Sequence, residues 1–370
     1  MAYRDLEDGP EESGLKDASP APAPVAVAAE AGANFPTTCY LLANYISHRK
    51  AGMALKECLR TLGVPLTEDP ERADTVILHN EPWSYAGYYR AIPALKRKHV
   101  IAYAVWETDI LPERYRFNLG LVDEVWTCSR YCRAALLPAG RKVSLIPHIV
   151  VPPEADEQAL RRVRERISYD DVLFYFYTIV GGPNPRKNMP TALKAFAQAF
   201  PGGGEKVRFV VKSSSPIPPD LAAIPGIIAV SDHFADREID ALHHLCHCFV
   251  SPHRAEGWGL GIAEAMAAGN LVVATGFSGN MDFMHAENSL ALAYRLEAIR
   301  QEEVWLQPHL LSPAMSWAYV DEQDLREALR HSFHARDQLA PLGRQASVDM
   351  RRFAPEQVAP LLKDCLLASR

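Results

Sequence analysis

The chain has 370 residues, 48% of them hydrophobic and 23% charged, and its formal net charge at pH 7 is −6. This length exceeds one ordinary hydrophobic core and favours two domains. The acidic balance argues against a nucleic-acid-binding protein, which is usually basic. We find no apolar run of about 18 residues and no basic, apolar leader, so neither a membrane span nor a signal peptide is expected.

Seven cysteines stand at irregular positions along the chain. Their odd number and the length of the chain favour reduced thiols in a cytoplasmic protein. Residues 1–35 are rich in proline, alanine and acidic residues, and contain two basic residues against seven acidic ones. Such a segment cannot bury enough apolar surface to offset its ordering entropy, so we expect a disordered acidic tail.

From residue 36 strands and helices alternate. Strands are predicted for TTCYLLANY (37–45), ADTVILH (73–79), HVIAYAVWE (99–107), DEVWTCS (123–129) and KVSLIPHIV (142–150). Helices are predicted for MALKECLRTLG (53–63), YYRAIPALKRK (88–98) and RYCRAALLPAG (130–140), with ISHRKAG (46–52) as a loop. This alternation predicts an N-terminal Rossmann-like domain over 36–166, with an interdomain helix in the charged stretch from residue 154.

The alternation then starts again. Strands are predicted for VLFYFYTIV (172–180), KVRFVVKSS (206–214), IIAVSD (227–232), CFVSPH (248–253) and NLVVATG (270–276), and helices for 189–200, 237–247 and 259–269. We expect a second Rossmann-like domain over 167–345, and C-terminal helices over 346–370 that pack back on the first domain. Breaks are expected near Pro341 and Pro355. Two doubly wound α/β domains of this kind would face each other across a cleft at the carboxyl ends of their strands.

The most informative stretch is SPHRAEGWGLGIAEAMAAGNLVVATGFSG, residues 251–279. It places Glu256 and Glu264 eight residues apart, on either side of a Gly-Trp-Gly turn that opens a helix. The start of a helix offers free backbone N–H groups and a positive dipole end, where a diphosphate binds well. The two carboxylates could then hold hydroxyls on the groups that the phosphates carry.

This stretch resembles the C-terminal signature of retaining GT-B glycosyltransferases of the family-4 type, also called group 1. The resemblance extends to LVVATGFSGNMDF and to NPRKNMPTALKAFAQAF, and covers most of residues 170–290. It implies a GT-B fold, with the first domain on the acceptor side and the second binding the donor. It also implies a hexosyltransferase that moves a sugar from a UDP- or GDP-sugar to an acceptor hydroxyl with retention, without a metal or other cofactor.

The resemblance also implies roles for individual residues. Glu264 would accept hydrogen bonds from the ribose hydroxyls, and Glu256 would hold the donor sugar. Lys187 would neutralise charge on the leaving diphosphate, with Arg186 as a second cation, because Gly182 and Pro183 stand where the family commonly has an arginine after glycine. The diphosphate would meet the backbone of the turn, formed by Gly257, Trp258, Gly259 and Leu260.

Six further residues are candidates. Gly52 would be the family's first-loop glycine at the diphosphate or acceptor, with Lys50 as an extra cation. Glu107 replaces the family's histidine after the fourth strand; it either positions the sugar or accepts the acceptor's proton, or is a strand-end carboxylate. His79 is a cleft residue or a core histidine. Asn280, with Asp282, lies near the donor sugar or only shapes a turn.

The sequence favours a metal site and other classes of enzyme less. HHLCHC (243–248) cannot converge on one metal from a single helix, and an Asp-x-Asp pair of the metal-dependent type is lacking. A non-catalytic GT-B subunit, or a GT-B epimerase or phosphorylase, is the alternative; a Rossmann dehydrogenase is disfavoured because G-x-G-x-x-G is missing.

Expected partners are a nucleotide sugar and a glycan, lipid-linked glycan or small-molecule acceptor, but not nucleic acid. The basic runs ALKRKH and RRVRER suggest peripheral contact with the inner membrane face.

Overall fold

The computed structural model describes residues 34–42, 46–170, 174–182, 184–203 and 205–369. The predicted disordered tail lies outside these residues, apart from its last two positions. The chain forms two compact units. The first ends at Trp106, resumes over Leu111–Ile149 and is completed by Phe353–Arg370, and the second comprises Glu107–Ile110 and Val150–Arg352. The main part of the second unit therefore begins at residue 150, whereas the sequence predicted a domain boundary at residue 166.

The first unit is built on a sheet of six parallel strands. Its strands are β1 (Thr38–Leu42), β2 (Leu66–Thr67), β3 (Thr75–His79), β4 (His99–Tyr103), β5 (Glu124–Thr127) and β6 (Lys142–Leu145), in the order β2-β1-β3-β4-β5-β6. Its helices are α1 (Ile46–Thr61), α2 (Tyr85–Ala91), α3 (Glu113–Leu119), α4 (Arg130–Leu136) and, from the end of the chain, α12 (Pro355–Ala368). The centre of β3 reads Val-Ile-Leu and is fully buried, as expected for a parallel strand covered on both faces.

The second unit contains another six-stranded parallel sheet. Its strands are β7 (Phe174–Val180), β8 (Val207–Ser213), β9 (Ile227–Val230), β10 (Cys248–Ser251), β11 (Leu271–Thr275) and β12 (Leu290–Leu292), in the order β12-β11-β10-β7-β8-β9. Its helices are α5 (Glu157–Arg166), α6 (Met189–Ala199), α7 (Pro219–Ala222), α8 (Asp236–Leu245), α9 (Leu260–Ala267), α10 (Glu322–His334) and α11 (Arg336–Met350). Both sheets confirm the predicted doubly wound α/β class.

Aromatic side chains fill much of the core of the second unit. Phe176 on β7 and Phe209 on β8 pack against Phe196 on α6, with ring centroids 5.5 to 6.2 Å apart. Phe333 on α10 meets Phe200 edge to face at 5.7 Å. These side chains are almost completely buried, so α6 and α10 are fixed against the strands from which the site loops emerge.

Two local predictions were wrong, and one element was not predicted. The segment 46–52 is the start of α1, not a loop, and Gly52 lies inside that helix. Pro341 does not break a helix, because α11 continues through it and the break falls at Ala335; α12 does begin at Pro355, where a proline at the first helical position costs no hydrogen bond. An antiparallel hairpin of β13 (Tyr294–Ala298) and β14 (Ser316–Val320) was not predicted.

All seven cysteines are free, and all but Cys365 are buried. Within the described residues, every helix is too short or too polar to cross a lipid bilayer.

Candidate functional site

The strand order of the second unit fixes where a ligand could bind. The chain runs outward from β7 through β8 to β9, and then returns to the other side of β7 to form β10, β11 and β12. In open α/β sheets a crevice opens at the carboxyl ends of the two strands where this reversal occurs. Here those strands are β7 and β10, and they are followed by residues 181–182 with 184–188, and by residues 252–259.

Four charged side chains meet at this point. Lys187 Nζ lies 2.6 Å from Glu256 Oε1. Arg186 Nη1 lies 3.1 Å from Glu256 Oε2 and 3.0 Å from Glu107 Oε1. The structure therefore brings together all three residues predicted as catalytic, with Arg186 as the link between the two carboxylates.

Glu256 is the central member of this cluster and is only 4% exposed. Burial by itself raises the pKa of a carboxyl group, but the adjacent charges of Lys187 and Arg186 outweigh it and lower the pKa of Glu256 to about 2. Two cations and two carboxylates balance one another in the cluster. An incoming anion would therefore compete with the carboxylates for Lys187 and Arg186.

The turn that carries the two cations is tied down by asparagines. The Asn184 side chain accepts a hydrogen bond from the backbone N–H of Arg186 at 2.9 Å. Asn188 has a left-handed backbone (φ 54°), and its side chain donates to the carbonyl of Pro252 at 3.0 Å. Asn188 thus joins the loop after β7 to the loop after β10. The sequence analysis missed it, since only its position in this fold distinguishes it from a surface asparagine.

The loop of Glu256 packs directly against the loop after β11. A Cβ added at Gly279 would lie 1.9 Å from the carbonyl oxygen of Gly257, so only glycine fits there. The backbone N–H of Gly279 donates to Glu256 O at 2.9 Å, and Ser278 Oγ accepts from Glu256 N–H at 2.8 Å. Ser278 has a φ of 78°, which a non-glycine residue rarely adopts. These contacts hold the Glu256 backbone in one position.

Asn280 and His253 form the buried support of this loop. His253 Nε2 lies 3.0 Å from Asn280 Oδ1, and Asn280 Nδ2 donates to Thr275 O at 2.9 Å. Both side chains are fully buried, and burial lowers the pKa of His253. The polar atoms of Asn280 are thus used within the protein, which favours its interpretation as a loop-shaping residue. His253 was missed because its contacts to the loop after β11, with Phe277 and Asn280, span 24 and 27 positions in sequence.

The Gly-Trp-Gly turn leads into α9. Gly259 has a φ of 88° and is the last residue before the helix, whose first residue is Leu260. The Trp258 side chain is buried against Phe283, with ring centroids 4.9 Å apart, so Trp258 can offer a ligand its backbone but not its indole. Glu264 is 9% exposed, and its Oε2 lies 3.8 Å from Nε2 of the buried His243.

A small cavity of about 30 Å³ lies among these elements. It is lined by the carboxyl end of β7, by Lys187 and Glu256, and by the glycines Gly259 and Gly261 at the start of α9. Gly257 belongs to the same turn. Of the residues predicted for the site, Lys187, Glu256 and Gly259 thus line the cavity itself.

The candidates of the first unit belong to its core. A Cβ at Gly52 would lie 2.2 Å from Leu42 Cδ1 and 2.9 Å from His79 Nδ1, so this glycine permits close packing of α1 on the sheet. His79 is fully buried, its Nδ1 is 2.7 Å from the Tyr40 hydroxyl, and burial lowers its pKa. The core interpretation of His79 is therefore favoured. Lys50, on the same helix, is partly buried.

Arg254 is a further residue that the sequence did not single out. Its Nη1 forms an ion pair with Glu303, whose Oε2 also accepts from the Tyr319 hydroxyl at 2.5 Å. The backbone N–H of Arg254 donates to the carbonyl of Arg186 at 2.8 Å. Arg254 thereby connects the loops of the site with the segment around Glu303 and with β14.

The HHLCHC segment is not gathered around one point. His243, Cys246 and Cys248 are buried, whereas His244 and His247 are exposed. Within the described part of the chain there is no group of three or more His, Cys, Asp or Glu side chains suited to a metal ion.

Comparison with known proteins agrees with this geometry. Residues 175–302 match the family model described as Glycosyl transferases group 1, and the match lies wholly within the second unit. No curated protein sequence matches the chain.

Solved structures match nearly the whole chain. HepE of Anabaena, solved in complex with UDP-glucose, has a TM-score of 0.63 at 14% identity, over 90% of this chain and 100% of HepE. A glycosyltransferase of Rickettsia africae has a TM-score of 0.64 at 11% identity, over 91% and 99% of the two chains. The pneumococcal O-GlcNAc transferase GtfA, solved with UDP and GlcNAc, has a TM-score of 0.57 at 13% identity, over 80% and 56%. The predicted GT-B fold is thus confirmed.

Proposed function

We propose that this protein is a glycosyltransferase that moves a sugar from a nucleoside diphosphate sugar to an acceptor hydroxyl. The observation that carries the proposal is the meeting of Lys187, Arg186 and Glu256 at the switch point of the second sheet, beside the N-terminus of α9. Such a donor needs a carboxylate that holds its sugar hydroxyls, cations that face its diphosphate, and free backbone N–H groups at the start of a helix. The match of residues 175–302 to group 1 glycosyl transferases supports it.

In this proposal the diphosphate lies over the turn at Gly259 and Leu260, where backbone N–H groups point outward from the helix start. Lys187 and Arg186 turn from Glu256 to the phosphate oxygens, because the developing negative charge of the leaving group is the stronger attraction. Glu256 is then released to accept hydrogen bonds from sugar hydroxyls. Its low pKa keeps it ionised and therefore able to accept them.

The reaction breaks the bond between the anomeric carbon and the phosphate oxygen, and forms a bond from that carbon to the acceptor oxygen. We propose that both events occur on the same face of the sugar, so that the configuration is retained. The proton of the acceptor hydroxyl passes to the leaving phosphate. The two cations supply the positive charge that this leaving group needs, so the proposed reaction is independent of a metal ion.

For the donor we favour a UDP-hexose over a GDP-hexose, since HepE and GtfA were solved with UDP or UDP-glucose. We propose a glycan, a lipid-linked glycan or a small molecule as acceptor, in the synthesis of a polysaccharide or glycoconjugate at a cytoplasmic location. Support for contact with a membrane is reduced, because Arg162 and Arg166 of the RRVRER run pair with Glu238. In the run at 94–99, Arg97 lies 3.9 Å from Glu71 and Lys98 donates to the Glu71 carbonyl, so this run is also partly engaged within the protein.

The test is a binding and turnover screen with UDP-, GDP-, ADP- and dTDP-sugars, by calorimetry and by release of the nucleotide. We expect a UDP-sugar to bind and to be hydrolysed slowly or transferred, and binding to fall about tenfold or more in Glu264→Ala, the size of a hydrogen bond to a charged group. Glu287→Ala, an exposed acid of the same unit, is the control. Turnover that persists in EDTA supports metal independence, and the anomeric coupling of the product decides retention.

The alternatives give different results in the same screen. A non-catalytic GT-B subunit would bind the nucleotide sugar without turning it over. An epimerase would release the nucleotide or a changed sugar without an acceptor product, and a phosphorylase would require inorganic phosphate. If no nucleotide or nucleotide sugar binds the wild type, the donor site is wrong.

A further inference from the structure

The segment HHLCHC contains one histidine whose surroundings are unusual. His243, on α8, is 1% exposed and lies behind Glu264, with 3.8 Å between His243 Nε2 and Glu264 Oε2. His243 Nε2 is buried and has no hydrogen-bond partner. A buried polar atom of this kind is costly unless its charge state makes use of the neighbouring carboxylate.

A chain of hydrogen bonds fixes the proton on the other ring nitrogen. Asn270 Nδ2 donates to the carbonyl of Cys246 at 2.7 Å; because that carbonyl can only accept, the amide is oriented with Oδ1 toward Tyr177. The Tyr177 hydroxyl therefore donates to Asn270 Oδ1, at 2.8 Å. Burial raises the pKa of Tyr177 well above its ordinary value, so this hydroxyl keeps its proton.

Since the Tyr177 proton points to Asn270, the hydroxyl oxygen can only accept from His243. His243 Nδ1 lies 2.7 Å from that oxygen and must carry a hydrogen. A neutral ring would then have a bare lone pair on Nε2, directed at a carboxylate in a buried place. A second proton on Nε2 removes this repulsion and gives an imidazolium beside Glu264.

Other groups near the ring do not change this conclusion. The thiols of Cys246 and Cys248 are neutral, since burial raises the pKa of both. Phe249 on β10 faces the ring without a charge, with centroids 6.4 Å apart. On the helix packed against α8, Arg162 and Arg166 are engaged with Glu238. Glu264 is thus the charged group that faces Nε2.

We propose that His243 is a positioning residue, held as an imidazolium by Tyr177 and Asn270, that orients the Glu264 carboxylate for the two ribose hydroxyls of a nucleotide. The inference rests on the proposed function, in which Glu264 binds ribose. A nucleotide then binds a carboxylate that is already aimed.

The proton assignment is tested without any ligand, by nitrogen NMR of the full chain labelled at histidine, with His243→Gln to assign the signals. We expect both ring nitrogens of His243 to be of the protonated type. In Tyr177→Phe we expect His243 Nδ1 to lose its hydrogen-bond acceptor and therefore its proton, while Nε2 keeps its proton. This second variant keeps the test decisive if His243→Gln does not fold. An unprotonated Nε2 in the wild type would overturn the proposal.

The positioning role is tested by the affinity for UDP, measured by calorimetry. We expect Kd to rise about tenfold in His243→Gln and to stay unchanged in His244→Gln, the same exchange at the next, exposed position of α8. Equal affinity of His243→Gln and the wild type for UDP would refute the role. If the wild type binds no nucleotide, the proposed function fails, while the nitrogen spectrum still decides the proton assignment.

Discussion

Lys187 Nζ lies 2.6 Å from Glu256 Oε1, although the two residues follow different strands and stand 69 positions apart. The contact defines the site more closely than either residue does alone. Glu256 is buried and cannot be left without a positive partner, and Lys187 lies where a diphosphate would need it. Each therefore is a partner of the other in the protein and has a different partner in the proposed reaction.

Replacing Lys187 by methionine is expected to harm both stability and turnover. Glu256 would keep Arg186 but lose its other cation, which should lower the free energy of unfolding by about 1–3 kcal/mol. Loss of a charge that stabilises the leaving group should lower turnover about 10²–10³-fold. Urea unfolding and nucleotide release measure the two effects. Lys194→Met, an exposed lysine of α6, is the control and should change neither. Additive effects of Lys187→Met and Glu256→Gln on unfolding would show that the two residues are not coupled.

The low pKa of Glu256 predicts a dependence of stability on acid. Its pKa is lower in the folded protein, about 2, than the ordinary 4.5. Its ionised form therefore stabilises the fold above pH 4.5, and this contribution is lost as the pH falls from 4.5 toward 2. We expect the difference in unfolding free energy between wild type and Glu256→Gln to be constant near neutral pH and to shrink over that acid range. A difference that does not change with pH would mean that Glu256 is not held ionised by its neighbours.

Glu107→Gln should separate the two interpretations of that residue. The change removes one carboxylate from Arg186, whose Nη1 is 3.0 Å from Glu107 Oε1, so the guanidinium becomes more available to an anion. We expect UDP to bind several-fold more tightly and the transfer rate to fall, as calorimetry and steady-state kinetics would show. Asp109→Asn is the control: Asp109 lies in the same segment but accepts a hydrogen bond from Ser316 N–H at 2.8 Å instead. Unchanged binding and unchanged rate would make Glu107 a strand-end carboxylate only.

Gly279→Ala should displace the loop that holds Glu256. The added methyl group would overlap the carbonyl of Gly257, so the loop must shift or the fold must loosen. We expect a lower melting temperature and a loss of nucleotide binding. Gly181→Ala is the matched control, because a Cβ there has nothing within 4 Å. If Gly279→Ala binds nucleotide as the wild type does, the close packing of these two loops is not needed for binding.

Much of the second unit could be predicted because its signals are local. Glu256, Gly259 and Glu264 stand within nine residues, and the strands around them are continuous apolar runs. The two ion pairs of Arg186, with Glu107 and with Glu256, could not be predicted, since they depend on side chains that the fold brings together. The hairpin β13–β14 was missed because its strands are short, largely polar on one side, and separated by 17 residues.

Gly52 shows the same limit in the first unit. The stretch from His48 to Gly52 contains several polar residues and a glycine, which are typical of a loop. It is helical instead because of how it packs. The space that a Cβ would need is already taken by Leu42 and His79, which the local sequence does not reveal. As the seventh residue of α1, Gly52 also lies beyond the first turn, where helix N–H groups are free. Its contact with a diphosphate stays a prediction.

The four residues Glu107–Ile110 belong to the second unit although the sequence around them belongs to the first. A fragment that starts at residue 150 would therefore lack two contacts of its own unit, the Glu107 carboxylate on Arg186 and the Asp109 acceptor for Ser316. Exchange of the second unit between two proteins, with cuts only near residues 150 and 352, would leave that piece behind. A working chimera would need these four residues to be transplanted as well.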